Sequence, residues 1–176
     1  MNGYLGNKKT RTAYELERLI QPTHFVTVNF KKGRKIESDL GFATFRYGDD
    51  VIYLTAADAI LRSASKRLVS QSIWRRHKPL IRSVFALEGG KLDGRKEVKS
   101  RPHVHFAVRA PKHLTPEAFV YHFHKAARGN PWVLKGYGTI DIKPCESPTA
   151  AVAYFLKEGT GRFMIAGSGS LDVASN

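Results

Sequence analysis

Two His-x-His triplets occur in the chain, His103-Val104-His105 and His122-Phe123-His124. The first lies in a segment that we predict to be a β-strand, where residues two apart face the same side. Both imidazoles would then converge on one point, as a metal site requires. The second lies in a predicted helix, where residues two apart point about 200° away from each other. We therefore expect no shared metal ion at the second triplet.

A carboxylate on a neighbouring strand could complete the first site. Glu88 ends a predicted strand that pairs with the histidine strand through a hairpin, and apolar residues alternate along both arms. Two imidazoles and one carboxylate with open positions would hold a hard or borderline divalent ion, and phosphate oxygens can take the open positions. The alternative is that Glu88, beside two glycines, is a solvated strand end and that the histidines are ordinary exposed strand residues.

A tyrosine and a lysine stand three residues apart on the last predicted helix, Tyr154 and Lys157, and therefore share one face. A tyrosine hydroxyl, with a pKa of about 10, is a poor nucleophile until a nearby cation stabilises the phenolate or its target is polarised. Lys157 would supply that cation. The alternative is a core tyrosine beside a surface lysine.

The charge of the chain indicates a polyanionic partner. Lysine and arginine number 29 against 15 acidic residues, which gives a net charge of +14 and a sequence pI of about 10.1. Such a field attracts nucleic acids and releases their counterions on binding. The basic residues are spread along the chain, which suits a folded basic surface. The residues that we expect to contact DNA are Asn29, Lys31, Arg95, Lys96, Lys99, Arg101 and Arg109.

The length of 176 residues is enough for one core, and we expect one domain over 1–165 with a flexible tail over 166–176. Apolar runs are only a few residues long, which excludes a membrane-spanning helix. The N-terminus has no apolar signal core, and Cys145 is the single cysteine. These features favour a reducing cytoplasm.

The elements that must position these residues predict an α+β fold: an antiparallel sheet of about five strands with helices packed on it and the metal site on its open face. In chain order, we predict a helix from Thr10 or Thr12 to Ile20, a strand over 25–30, a possible hairpin within 42–54, a long helix over 55–77, hairpin strands over 84–88 and 103–109, a helix over 115–129, a strand over 137–143 and a helix from 147 to 159.

Three segments, in this order, resemble the motifs of the HUH endonuclease superfamily, and within it the rolling-circle replication initiator (Rep) proteins of plasmids and small viruses. Residues 25–30 resemble the first motif, 101–106 the histidine motif, and 153–157 the tyrosine motif with its Tyr-x-x-Lys spacing. Glu88 matches the acidic residue that often precedes the histidines, and 140–144 resembles the strand before the tyrosine helix. The resemblance covers Phe25 to Lys157.

The resemblance implies a nickase and strand transferase for single-stranded DNA, such as an origin or nick-site hairpin. Glu88, His103 and His105 would hold Mg²⁺ or Mn²⁺, and Tyr154 would attack the scissile phosphate. The product would be a 5′-phosphotyrosine linkage with a free 3′-hydroxyl, with Lys157 steadying the developing charge. No nucleotide cofactor is needed, because one phosphodiester is exchanged for another.

Two departures from the family pattern narrow this reading. Position 158 is Glu, so only one tyrosine occupies the motif, and the chain has no phosphate-binding Gly-x-x-x-x-Gly-Lys-Ser/Thr loop. We therefore expect a separate helicase as partner. The expected neighbours of the site are His24, Thr27, Asn29, Arg109 and Asp141. Of these, His24 and Asp141 could support the ligands or act as an alternative ligand, Asp141 in place of Glu88.

Two other readings stay open. A single-tyrosine transposase of the same superfamily shares the motif order but tends towards glutamine after the tyrosine. A non-catalytic nucleic-acid-binding module would use the sheet and its basic rim, with His103 and His105 contacting phosphate.

Overall fold

The computed structural model describes residues 3–37, 43–89, 101–155 and 163–166. Five helices and seven strands lie in these ranges. In chain order they are α1 (Gly3–Ile20), β1 (His24–Asn29), β2 (Gly33–Glu37), β3 (Ala43–Tyr47), α2 (Asp50–Arg67), α3 (Gln71–His77), β4 (Ser83–Glu88), β5 (His103–Val108), α4 (Pro116–Arg128), β6 (Ile140–Pro144), α5 (Pro148–Phe155) and β7 (Phe163–Ala166).

The main sheet has five strands in the order β6-β1-β5-β4-β7, and every pairing in it is antiparallel. Strands β2 and β3 form a separate two-stranded sheet. The predicted α+β class and the antiparallel sheet of about five strands are thus confirmed. In the main sheet His103 lies opposite Asn29 on one side and Glu88 on the other.

The two faces of the main sheet are covered differently. One face carries the larger core, in which α2 and α4 pack over residues such as Val26, Phe85 and Phe106. On the other face, α1 and α5 cover Val84, Ala86 and Ala107. At the strand ends on that second face, Glu88 and His103 are half-buried, as far as the described residues show. Successive strand residues point to opposite faces, and both faces carry apolar residues, so helices pack on both. Helices α2 and α4 bury one face, whereas α1 and α5 cover part of the other.

Helix boundaries in the first half of the chain differ from the sequence prediction. The extended segment expected up to residue 54 ends at Tyr47, because Asp49 caps α2 by accepting a hydrogen bond from the Ile52 N–H (2.8 Å). The long helix expected over 55–77 is two helices, since Ser70 caps α3 in the same way. Local hydrogen bonds from short polar side chains thus decided both boundaries.

The chain ends also differ from expectation. Helix α1 begins at Gly3, before the predicted Thr10 or Thr12, and residues 163–166 form strand β7 on the edge of β4, which we did not predict. Residues 167–176, most of the expected tail, lie outside the described residues. Within the described ranges, none of the helices combines the length and apolar character needed to cross a membrane.

Candidate metal centre and active site

The β4–β5 hairpin brings Glu88, His103 and His105 together. Glu88 lies opposite His103 in the register, and His105 is two residues further along the same face. Glu88 Oε2 is 3.1 Å from His103 Nε2 and 3.6 Å from His105 Nε2. One ligand atom from each residue lies within 4.8 Å of the other two. The cluster predicted from strand alternation is therefore present.

Hydrogen bonds behind the two rings orient them towards the carboxylate. His103 Nδ1 lies 3.2 Å from the Arg101 carbonyl, and His105 Nδ1 lies 2.9 Å from Thr27 Oγ1. A carbonyl only accepts, so an Nδ1 proton on His103 satisfies it. In the neutral ring this leaves the Nε2 lone pair free for a metal ion, whereas the contact with Glu88 needs a proton on Nε2 as well. Thr27 Oγ1 can fix His105 in the same tautomer. Such supporting bonds are typical of metal-binding histidines.

The surroundings of Glu88 and His105 lower the pKa of both side chains. Burial alone would raise the pKa of Glu88, but the hydrogen bond from Tyr154, the charge of His105 and the bond from His103 bring it below its usual value. Burial and the nearby charge of His103 lower the pKa of His105, against the opposing effect of Glu88. A carboxylate and a neutral imidazole are the forms that ligate metals.

The spacing of the donor atoms fits one divalent ion. Nitrogen and oxygen ligands held at about 2.1 Å from a single ion lie roughly 3 to 4 Å from each other. The two distances from Glu88 Oε2 to the histidine Nε2 atoms fall within that range, and the three ligand atoms together lie within 4.8 Å of one another. The side chains of Glu88 and His105 are 15% and 12% exposed, and that of His103 is 28% exposed. The site can therefore hold an ion and still admit an outside ligand.

Helix α5 places Tyr154 against this cluster. Val152 and Phe155 are buried under the sheet face, which turns Tyr154 towards the open end with 36% of its surface exposed. Its ring centroid is 5.2 Å from that of His105, edge to face, and its hydroxyl contributes to lowering the pKa of Glu88. The nucleophile that we expected thus lies in contact with two of the expected ligands. Lys157 lies outside the described residues.

Phe25 is a site neighbour that the sequence analysis did not single out. Its ring lies 5.3 Å from His105, 6.3 Å from Tyr154 and 5.9 Å from Phe155, by centroids. It therefore fills the space between the sheet and α5 and fixes the distance between tyrosine and histidine. Phe25 and Thr27 are two residues apart on β1 and therefore face the same side of the sheet, which is the sequence feature that could have predicted this contact.

Two of the expected neighbours do not join the cluster. His24 faces the opposite side of the sheet, where its ring packs 4.8 Å from Phe119, so the supporting role expected for it is wrong. Asp141 shares the face of Thr27 but stands one strand further from the histidines, and its carboxylate pairs with Lys143 Nζ at 2.8 Å. It does not belong to the group of three ligand residues.

Three of the expected DNA contacts lie at the cluster's end of the sheet. Arg101 is exposed just before His103. Lys31 follows β1, and its Nζ donates to the Pro131 carbonyl (2.9 Å). Asn29 is bonded through its side-chain amide to the Thr139 carbonyl (3.3 Å). Asn29 and Lys31 therefore help to hold neighbouring loops.

Arg109 lies at the other end. It follows β5 six residues after His103, about 20 Å along an extended strand, and its guanidinium donates to Gln21 Oε1 (2.6 Å). The structure does not bring it to the cluster, so its expected place beside the site is wrong, while its contact with DNA stays a prediction. The remaining expected contacts, Arg95, Lys96 and Lys99, lie outside the described residues.

Comparison with known proteins leaves the family open. No protein-family model matches the chain, and no curated protein matches it. A solved structure described as "Crystal structure of an uncharacterized conserved protein from Listeria innocua" aligns with 72% of this chain at 12% identity and a TM-score of 0.31. This chain spans 56% of that protein's length. A similarity at that level carries no argument about fold or function.

Proposed function

We propose that the protein is a metal-dependent nickase and strand transferase of the HUH type, acting on single-stranded DNA through Tyr154. The observation that carries this proposal is the position of Tyr154 against the three-residue metal cluster, with its ring centroid 5.2 Å from that of the cluster member His105. A nucleophile must lie within reach of the group that activates its target. The order of the sequence motifs supports the same reading.

Glu88, His103 and His105 would hold the ion, which we propose to be Mg²⁺ or Mn²⁺. Such an ion, when bound, polarises a phosphate oxygen and stabilises charge on the leaving oxygen. Two imidazoles and one carboxylate leave open positions that suit a phosphate diester. Arg101 and Thr27, through the ring nitrogens that they bond, keep both imidazoles turned towards this position.

Tyr154 would act directly on the phosphorus atom. Its phenolic oxygen forms a bond to phosphorus while the bond from phosphorus to the 3′ oxygen breaks. The phenolic proton passes to solvent, and the 3′ oxygen takes a proton from solvent to become a free hydroxyl. The 5′-phosphotyrosine conserves the phosphodiester energy, so rejoining needs no nucleotide cofactor.

The charge of the molecule supports a single-stranded nucleic acid as substrate. The net charge of +14 favours a polyanion, and Arg101 and Lys31 lie at the same end of the sheet as the cluster. The resemblance to Rep proteins makes initiation of rolling-circle replication the biological role that we propose, at an origin or nick-site hairpin that a separate helicase would unwind.

Strand cleavage with the two ends labelled separately tests this function. With Mn²⁺ or Mg²⁺, a 3′-labelled strand should become a protein-sized band that survives boiling in detergent, because the 3′ fragment carries the 5′ phosphate. A 5′-labelled strand should give a shorter free oligonucleotide. Tyr154→Phe keeps the ring and should abolish both products while DNA binding and thermal stability stay unchanged.

The opposite label pattern would contradict the proposed polarity, and adduct formation by Tyr154→Phe would contradict the nucleophile. Tight DNA binding by the wild type with no cleavage in either metal would identify the protein as a binding module instead.

A further inference from the structure

The loop over residues 134–139 presents a fully exposed tyrosine. Tyr137 stands between Gly136 and Gly138, whose φ angles of 135° and 70° are conformations that residues with side chains rarely adopt. A hydrogen bond from Thr139 Oγ1 to the Gly136 carbonyl (2.9 Å) closes the turn. The backbone of the loop therefore holds the aromatic ring out in solvent.

Asn29, the last residue of β1, fixes both ends of this loop. Its N–H donates to the Thr139 carbonyl, and its carbonyl accepts from the Leu134 N–H, each at 2.9 Å. Its side-chain amide donates to the Thr139 carbonyl as well. Because Asn29 is also the register partner of His103, the loop is tied to the residue beside a metal ligand.

The separation between the loop and the cluster suits a short stretch of nucleic acid. Thr139 and His103 flank Asn29 on opposite sides, so they are two strand spacings apart, or roughly 10 Å. Successive nucleotides in a stacked strand are about 3.4 Å apart. At least about three nucleotides would therefore separate a phosphate at the cluster from the end of the loop at Thr139.

The surroundings of Tyr137 carry positive charge. Lys135 is exposed in the same loop, and Arg128 is exposed at the end of α4. A cleft of about 540 Å³ between α4 and the loop is lined by Arg128, Tyr137 and Asp141, among others. The Asp141 carboxylate is already paired with Lys143. An aromatic ring beside cations is what proteins use to bind single strands, with bases stacked on the ring and phosphates on the cations.

We propose that Tyr137 is a stacking platform for an unpaired base of the strand whose scissile phosphate lies at the Glu88–His103–His105 cluster, with Arg128 and Lys135 contacting its backbone. The identity of that strand rests on the proposed function. The stacking itself does not, because a ring platform binds bases of any sequence and needs no metal ion.

Tyr121 provides a matched control on the same side of the molecule. It is also an exposed tyrosine, at 58%, but Lys125 Nζ donates to its hydroxyl (3.1 Å) and lies 5.4 Å from its ring centroid. Its ring is thus already partnered within α4.

The experiment compares two fluorescent strands of about 20 nucleotides in excess EDTA, an oligothymidine and an abasic strand with the same phosphates. The wild type should prefer the oligothymidine. Tyr137→Ala should weaken oligothymidine binding by about 5- to 100-fold, the range expected for loss of one stacked base, and leave abasic binding unchanged. Tyr137→Phe and Tyr121→Ala should both behave as wild type.

Equal affinity of the wild type for the two strands would overturn the proposal. So would a Tyr137→Ala protein that binds both as the wild type does, or that loses affinity equally for both, since bases would then make no special contribution. Thermal unfolding of Tyr137→Ala should match the wild type, because the ring makes no buried contact.

The adduct assay separates this inference from the proposed function. If the wild type forms no adduct and Tyr137→Ala loses the base preference, the stacking site is supported and the nickase is refuted. If the wild type forms the adduct and Tyr137→Ala still prefers the oligothymidine, the nickase is supported and the stacking site is refuted.

Discussion

The two His-x-His triplets have the same spacing and opposite outcomes. On β5, the rings of His103 and His105 have centroids 4.9 Å apart, and both Nε2 atoms face Glu88. On α4, the His122 ring lies against Tyr121, and burial and then the charge of Arg128 lower the pKa of His124. Among the described residues, neither helical histidine belongs to a group of three ligands. The backbone period, not the sequence pattern, decides whether two imidazoles converge.

The comparison also shows where the third ligand comes from. A strand residue has neighbours on both adjacent strands, so β5 receives Glu88 from β4 and the supporting Thr27 from β1. Helix α4 has no hydrogen-bonded neighbouring strand, so nothing fixes a carboxylate opposite its two histidines. A metal site on a sheet is therefore assembled by register, which the triplet alone does not encode.

Removing the strand histidines should have the largest effect. His103→Ala and His105→Ala should each abolish Mn²⁺ binding, because each removes one of three ligands. His122→Ala and His124→Ala should leave Mn²⁺ affinity within a few-fold of the wild type. Calorimetric titration of all four variants, with circular dichroism to check the fold, measures the contrast. Metal affinity lost equally at both triplets would show that they do not differ in function.

Removing the support from β1 should have a smaller effect. Thr27→Val keeps the shape of the side chain but removes the oxygen that lies 2.9 Å from His105 Nδ1. Loss of such a supporting bond costs about 10- to 100-fold in metal affinity. Thr27→Ser restores the hydroxyl and should restore the affinity. If Val and Ser bind Mn²⁺ equally well, Thr27 does not orient the ring.

The smallest effect concerns the histidine on β1 that faces the other side. Burial lowers the pKa of His24, so protonation favours unfolding. Stability should be complete above the unfolded-state pKa of about 6.5 and should fall as the pH drops below it. His24→Phe should reduce that slope by at most about 1.4 kcal/mol per pH unit without changing Mn²⁺ affinity. Denaturant unfolding at several pH values measures the slope. A His24→Phe protein with a steeper acid slope than the wild type would contradict this prediction, and one that binds Mn²⁺ more weakly would place His24 near the cluster.

The hairpin and its ligands could be predicted because alternation over six-residue strands fixes both the faces and the pairing. Glu88, His103 and His105 follow from that pattern alone. The contact between Tyr154 and Glu88 could not be derived in the same way, since the docking of α5 depends on how Phe25, Val152 and Phe155 fill space. Only the family resemblance suggested it.

Other errors have local causes. The face of His24 follows from the same alternation as that of Thr27, and applying it along β1 would have excluded His24 from the site. The break between α2 and α3 depends on a serine cap in a segment free of Gly and Pro, and strand β7 is a short edge strand with weak alternation. Such boundaries are set by single hydrogen bonds and by tertiary pairing, to which periodicity is insensitive.

The most direct measurement is peptide mapping by mass spectrometry of protein incubated with single-stranded DNA and Mn²⁺. The modified peptide should carry the DNA on Tyr154, and the same incubation in excess EDTA should give no modified peptide. DNA on Tyr121, Tyr137 or any other residue, or an adduct undiminished in EDTA, would contradict the proposal that the strand cluster and Tyr154 form one metal-dependent active site.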